Sequence, residues 1–136
     1  MERLENARKF FVRDHYAVMT TGIEILEVGD HYSRAELKIS DRILNGAGKV
    51  MGGAIFTLAD FSFAVASNKV DENCEVTEKT VTANSSISFL NPAKGTKLIS
   101  ECRLIKDGHK ICTYEIKISD DLGTLVALVI ANGMKV

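Results

Sequence analysis

An α+β fold, in which an antiparallel sheet wraps one long helix, is predicted by three features of the sequence. The stretch Gly53 to Asn68 is apolar almost all round and free of proline, which marks a helix buried on most of its faces. Everything from Thr80 onward is strand-like, broken only by turn residues, and a further pair of strands is readable before the helix. A single apolar helix among antiparallel strands leaves water only if the sheet curves around it.

The order begins with an amphipathic helix over residues 2 to about 16, because Leu4, Ala7, Phe10 and Phe11 recur at helical spacing between charges. Thr20-Thr21-Gly22 ends that region. Ile23 to Val28 and Tyr32 to Ile39 read as a hairpin about a turn at Gly29-Asp30. The loop Asn45-Gly46-Ala47-Gly48 then leads into the apolar helix. Thr80 to Leu90, rich in Ser, Thr, Val and Ile, stops at Asn91-Pro92, where the sole proline cannot donate to a ladder. Lys97 to Ile105 and Lys110 to Ile118 form a second hairpin, since Asp-Gly in the Lys106-Asp107-Gly108-His109 turn supplies positive φ angles. A turn over Ser119 to Gly123 leads into the last strand, Thr124 to Ala131.

With 136 residues, 46% hydrophobic and 26% charged, the chain suits one core, and residues 1–136 are expected to form a single domain. A formal charge of -1 creates no bulk field, so neither nucleic acid nor an anionic membrane is expected as a partner. The charged start lacks the apolar core of a secretory signal, and the longest apolar run, Leu125 to Ala131, is too short to span a bilayer. Cys74, Cys102 and Cys112 form neither a CxxC pair nor an even disulfide set. That fits a reducing, cytoplasmic setting and small core residues. His15, His31 and His109 lack ligand spacing, so no metal and no cofactor are expected.

Chemistry concentrates in and before the apolar helix. Between Val50 and Asn68 the sole charged side chain is Asp60, placed mid-helix where it cannot cap. An unpaired carboxylate in apolar surroundings is costly, so it is either hydrogen-bonded structurally or used. Gly53, Thr57, Asp60, Ala64 and Ser67 recur at steps of four and three, forming a small or polar stripe that suits a close helix contact, an oligomer interface, or both. Gly52-Gly53 lets a ligand approach N–H groups that lack intrahelical partners at the positive end of the helix dipole. Such donors suit an oxyanion and are worth ~3 kcal/mol each in acyl transfer. A tight turn explains the same glycines. The GxxxxGK[ST] pattern of a phosphate loop is absent.

The run Asn45-Gly46-Ala47-Gly48-Lys49-Val50-Met51-Gly52-Gly53, continuing to Leu58-Ala59-Asp60, resembles the signature of the PaaI-like group of hotdog-fold acyl-CoA thioesterases. Ile87-Ser88-Phe89-Leu90-Asn91-Pro92-Ala93 resembles that family's strand ending in proline. The resemblance implies a hotdog fold and hydrolysis of an acyl-CoA thioester. It implies that the Gly52 N–H polarises the carbonyl, that Asn45 positions water or thioester, and that Asp60 acts as general base or nucleophile. Thr82 falls where some relatives hold the attacking water with a hydroxyl, although an ordinary strand threonine fits equally. Met51 stands where the family commonly has histidine. It reads as a flexible apolar wall of the acyl pocket or as core filler, with Gly53 and Phe56 as further substrate-contacting candidates. Phe61, Phe63 and Phe89 are open to the same reading or to plain core packing. Lys94, Lys97, Arg103, Lys106 and Lys110 are candidates for the CoA phosphates or a solvated sheet edge. A non-catalytic acyl-CoA-binding module and a hydratase are the rival functions.

Helix geometry adds an expectation of assembly. Gly52 and Asp60 are eight positions apart, roughly 12 Å along a helix, too far to serve one carbonyl within one chain. A site shared across a two-fold axis is therefore expected, with a homodimer as the minimum unit. The resemblance points to a homotetramer built from two dimers.

Overall fold

The computed structural model describes residues 2–136. Helix α1 spans Glu2–Phe11 and buries Ala7 and Phe11. It ends earlier than the apolar spacing predicts, because the backbone tightens: the N–H groups of Arg13 and Asp14 donate to the carbonyls of Phe10 and Phe11, three residues back. Tyr16–Thr21 then form a π-helical turn, closed by Gly22 at φ +91, whose N–H donates to the Ala17 carbonyl. Thr20 and Thr21 thus belong to the turn, and Gly22 alone is the break.

Strands β1 (Glu24–Gly29) and β2 (Tyr32–Lys38) make the expected hairpin. Helix α2 runs from Gly52 to Ser67. A short hairpin of β3 (Lys69–Val70) and β4 (Val76–Glu78), not anticipated from the sequence, is organised by the Asp71 carboxylate, which accepts the N–H groups of Asn73 and Glu75. The polar Asp71-Glu72-Asn73 cluster was its turn signal. Then follow β5 (Thr80–Phe89), β6 (Lys97–Asp107), β7 (Ile111–Asp120) and β8 (Leu125–Lys135).

Six strands form one antiparallel sheet in the order β1-β2-β6-β7-β8-β5, with α2 packed on its concave face. This is the hotdog arrangement. Leu58, Ala59, Phe61, Phe63 and Val65 of α2 are buried in one cluster with Leu37, Leu98, Ile116, Ile118, Val126 and Val129 of the sheet. Polar contacts fix the docking within this core. The Ser33 hydroxyl donates to the Ser62 carbonyl at 2.7 Å, the Ser62 hydroxyl donates to Leu58, and Ser62 and Ser100 share a hydroxyl contact. Burial of these hydroxyls is tolerated because each is paired.

Two strands outrun their expected ends. Asp107 pairs with Cys112, so the β6–β7 turn is Gly108 to Lys110 and the strand continues past Ile105. β8 continues past the expected end at Ala131 through Asn132-Gly133 to Lys135. The Asn132 amide group is held on both sides, accepting from the Thr113 hydroxyl and donating to Asn84. Gly133 is required by space: a Cβ there would lie 2.6 Å from the Phe63 ring and from the Thr80 methyl. Cys102 and Cys112 are buried, whereas Cys74 sits half-exposed in the β3–β4 turn at φ +60. No helix among the described residues is long and apolar enough to cross a membrane.

One carboxylate ties the loop after β5 to the turn after β7. Asp120, 3% exposed, accepts the N–H groups of Lys94 (2.8 Å), Gly95 (3.2 Å), Leu122 (3.0 Å) and Thr124 (2.9 Å). The Lys94 N–H, with those of Thr124 and Leu122, holds its pKa down to about 2. A carboxyl with a lower pKa folded than unfolded stabilises the fold above its unfolded pKa, and that stability is lost as pH falls from about 4 toward 2. Thermal melts over this range should show the midpoint falling with acid in the wild type. The fall should be flatter in Asp120→Asn, which should also melt lower at neutral pH. Parallel curves for the two proteins would remove Asp120 from this role.

Candidate active site

The N-terminus of α2 is set by the loop before it. The Asn45 Oδ1 accepts the N–H groups of Ala47 (2.9 Å) and Lys49 (3.1 Å), folding the glycine loop, and Gly48 takes φ +75. The Met51 N–H donates to Ile43 at 2.7 Å, and its carbonyl accepts from Ala54 and Ile55. Among the described residues, no acceptor takes the N–H of Gly52 or Gly53. These two donors therefore stand open at the positive end of the helix. The Asn45 oxygen is committed to this loop.

An apolar groove of about 430 Å³ opens at Gly52, lined by Val50, Ile55, Phe89, Leu90, Asn91 and Pro92. The Phe89 ring rests against Gly52, where an added Cβ would lie 3.0 Å from the ring tip. Of the aromatic candidates, Phe89 is the one at this groove. Phe61 and Phe63 are core residues stacked edge-on with Phe11 and Tyr114, and Phe56 is a half-buried residue packed against the core. Met51 is 55% exposed, so it is not core filler.

Asp60 lies two turns further along, and here an expectation is corrected. The helix is not buried around Asp60: Gly53 and Asp60 are exposed, Thr57 and Ala64 are half-exposed, and only Ser67 of the stripe is buried. The sheet covers one side of α2 and the π-helical turn packs on a flank, and among the described residues none buries Gly53 or Asp60. Thr82, on the helix-facing side of β5, donates its hydroxyl to Asp60 Oδ1 at 3.5 Å. Thr57 does not reach Asp60, because its hydroxyl donates to the Gly53 carbonyl at 2.7 Å.

A second groove, of about 330 Å³, brings Asp14, His15 and Tyr16 alongside Thr57, Asp60 and Phe61. Its walls strip water from one side of the Asp60 carboxylate while the other faces solvent. That desolvation raises the Asp60 pKa above its ordinary value, the Thr82 hydrogen bond opposes the rise, and the Asp14 charge adds to it. Burial raises the Asp14 pKa as well. Asp14 was not among the residues singled out from sequence. It was read as part of a solvated helix, and only the fold-back of the π-helical turn onto α2 puts it here.

Gly52 and Asp60 do not converge within one chain. They are joined by unbroken helix, so roughly 12 Å separates them. Nor do the basic candidates gather. Lys97 pairs with Glu36 at 3.2 Å, Arg103 pairs with Glu101 at 3.2 Å, and Lys94 lies at the opposite end of β6 from Lys106 and Lys110. No cluster of three or more metal-ligating side chains occurs among the described residues.

Known proteins share this architecture. A family described as the thioesterase superfamily matches residues 47–127, a span that includes Met51, Gly52, Asp60 and Thr82. The acyl-coenzyme A thioesterase PaaI of Escherichia coli is 27% identical over 125 residues, 91% of this chain and 84% of that protein. A thioesterase structure from Haemophilus influenzae superposes with TM-score 0.83 at 22% identity, covering 98% of this chain and 90% of the other. A hypothetical thioesterase from Streptococcus pneumoniae, solved with coenzyme A, superposes with TM-score 0.79 at 21% identity, covering 93% and 96%. With the family spanning more than half of its length and the hotdog sheet wrapped on α2, the chain belongs to the thioesterase superfamily and is a thioester hydrolase of the PaaI-like kind.

Proposed function

We infer that the chain hydrolyses an acyl-CoA thioester at a site completed between two copies of itself. The observation that carries this reading is the open stripe of α2, which presents two unpaired N–H groups at one end and the Asp60 carboxylate at the middle. Acyl-CoA as the substrate class is supported by the coenzyme A on the pneumococcal neighbour and by the activity named for the E. coli relative.

In this reading the thioester carbonyl accepts from the Gly52 N–H, with the helix dipole behind it, and the amide hydrogens of Asn45 hold the thioester or the attacking water. Asp60 takes a proton from water as the water oxygen bonds to the carbonyl carbon. The tetrahedral intermediate collapses by breaking the carbon–sulfur bond, and CoA leaves as thiolate. Thiolate is a good leaving group, so Met51 in place of histidine removes no indispensable acid. Thr82 steadies Asp60 or its water. Met51, Gly53 and Phe56 border the substrate.

A homodimer is the minimum unit of this proposal, and two such dimers make the tetramer. Support comes from β5, an edge strand of the sheet, with no Lys, Arg, Asp, Glu or Pro from Thr80 to Phe89 and with most residues exposed. Edges are ordinarily guarded by charge or proline. Pairing of β5 with its copy would set two α2 stripes side by side, each Asp60 toward the other chain's Gly52.

A thiol-trapping assay across acyl-CoA chain lengths tests this function. Asp60→Asn should lower kcat by ~10²–10⁴-fold, the range for loss of a general base, while acyl-CoA still binds. Because the Asp60 pKa is raised in the fold, its carboxylate costs stability wherever it is ionised in the native state, so Asp60→Asn should also melt at or above the wild-type temperature at neutral pH. Near-normal turnover in the folded variant would end the assignment. In the wild type, activity should fall with acid through a pKa above the ordinary aspartate value. Met51→His should raise the rate or add a titration near neutrality. An unchanged rate and pH profile would make position 51 a wall only.

A further inference from the structure

We propose that Asp14 is a positioning residue for Asp60: its carboxylate, held in the same groove, sets the pH range over which Asp60 serves as base. The proposal rests on the general-base reading of Asp60 given above and goes beyond it by adding a group from another part of the chain.

The placement comes from the fold. Asp14 is anchored at the entrance to the π-helical turn, where its N–H donates to Phe11 at 2.9 Å and its carbonyl accepts from Val18 at 2.9 Å. That turn is laid against α2 at the level of Thr57, Asp60 and Ala64, and the groove between them is shared by Asp14, His15, Tyr16 and Asp60. Phe11, one turn before Asp14, is locked edge-on against Phe61, the residue after Asp60, with ring centroids 5.8 Å apart. The Phe11–Phe61 contact therefore fixes the turn against the helix and holds the two acidic positions in one register.

Every element packed around Asp60 contributes to its charge surroundings. The N-terminal segment presents Asp14 and His15 as titrating groups, with the Tyr16 phenol beside them. β5 presents only the neutral Thr82 hydroxyl, and α2 itself presents Thr57, Phe61 and Ala64. No Lys or Arg lines the groove among the described residues. Two carboxylates thus face each other's field with no fixed cation between them. The Asp14 charge makes Asp60 hold its proton more firmly, whereas the rise at Asp14 itself comes from burial, and a base that holds its proton more firmly is a stronger base once deprotonated. The same field acts on Asp60 in the direction already described, alongside the larger effect of desolvation.

The test is the pH dependence of kcat/KM for thioester hydrolysis in Asp14→Asn, Asp14→Glu and His15→Gln. Replacing the Asp14 carboxylate by its neutral isostere should move the acidic limb to lower pH, so the variant keeps more activity than wild type on the acid side. Asp14→Glu should return the limb toward its wild-type place, which a merely structural residue would not do. A limb unmoved in well-folded Asp14→Asn overturns the proposal, as does a limb that moves with His15→Gln and not with Asp14→Asn. If Asp14→Asn does not fold, carboxyl-carbon NMR titration of the wild type replaces it. Two-step, mutually dependent titration of Asp14 and Asp60 supports the proposal, and independent single steps overturn it. Failure of the underlying reading is separately visible: it shows as retained activity in Asp60→Asn, whatever the Asp14 variants do.

Discussion

The rigidity of α2 constrains the whole account. It is one unbroken helix, and both of its chemically useful features lie on it, the open N–H groups of Gly52 and Gly53 at the start and the Asp60 carboxylate two turns on. A helix pinned by Leu58, Phe61, Phe63 and Val65 in the core, and by the Ser33, Ser62 and Ser100 hydroxyls, cannot bend to bring those features together. Under the proposed function, polarising a carbonyl at Gly52 and activating its water at Asp60 would then involve a second helix. The features the chain leaves unfinished fit that requirement: the uncovered small-residue stripe and the unguarded edge of β5.

Surrounding structure serves this helix in parts that are far apart in sequence. Asn45 folds the loop that delivers Met51 to the helix start. Asp120 gathers four backbone N–H groups and so fixes the segment after β5, whose Leu90 and Pro92 wall the groove at Gly52. The two aspartates illustrate opposite uses of the same side chain. Asp120 is satisfied by N–H donors, holds its charge easily and stabilises the fold. Asp60 is partly stripped of water, has one long hydrogen bond and a like-charged neighbour, so its charge is costly, which suits the base proposed for it.

Much of this was legible in the sequence because local signals and tertiary demands agree. The apolar period of α2, the hairpin of β6 and β7, and the proline after β5 each mark an element that forms, although neither Asp107 nor Gly108 takes the positive φ expected of that turn. The Asn45-to-Asp60 motif marked the thioesterase family. What was not legible depends on contacts between distant residues. The last strand was expected to end at Ala131, yet it runs on through Gly133, where Phe63 and Thr80 need a residue without Cβ. Asp14 looked like a solvated helical charge until the π-helical turn placed it beside Asp60. The apolar look of α2 suggested burial for Asp60. The chain leaves Gly53 and Asp60 exposed, and the proposed second copy would cover them.

The shared site is the central claim, and heterodimers test it most directly. Gly52 is the first residue of α2, where proline is tolerated, so Gly52→Pro deletes the N–H donor, with its Cβ meeting the Phe89 ring tip at 3.0 Å unless that ring shifts. Chains carrying Gly52→Pro and chains carrying Asp60→Asn are each expected to form folded, inactive dimers. Heterodimers isolated by two affinity tags should recover about half of wild-type turnover, since one of the two symmetric sites then carries neither lesion. Activity of the purified heterodimer at the level of the inactive parents would place Gly52 and Asp60 in one chain's site and contradict the account.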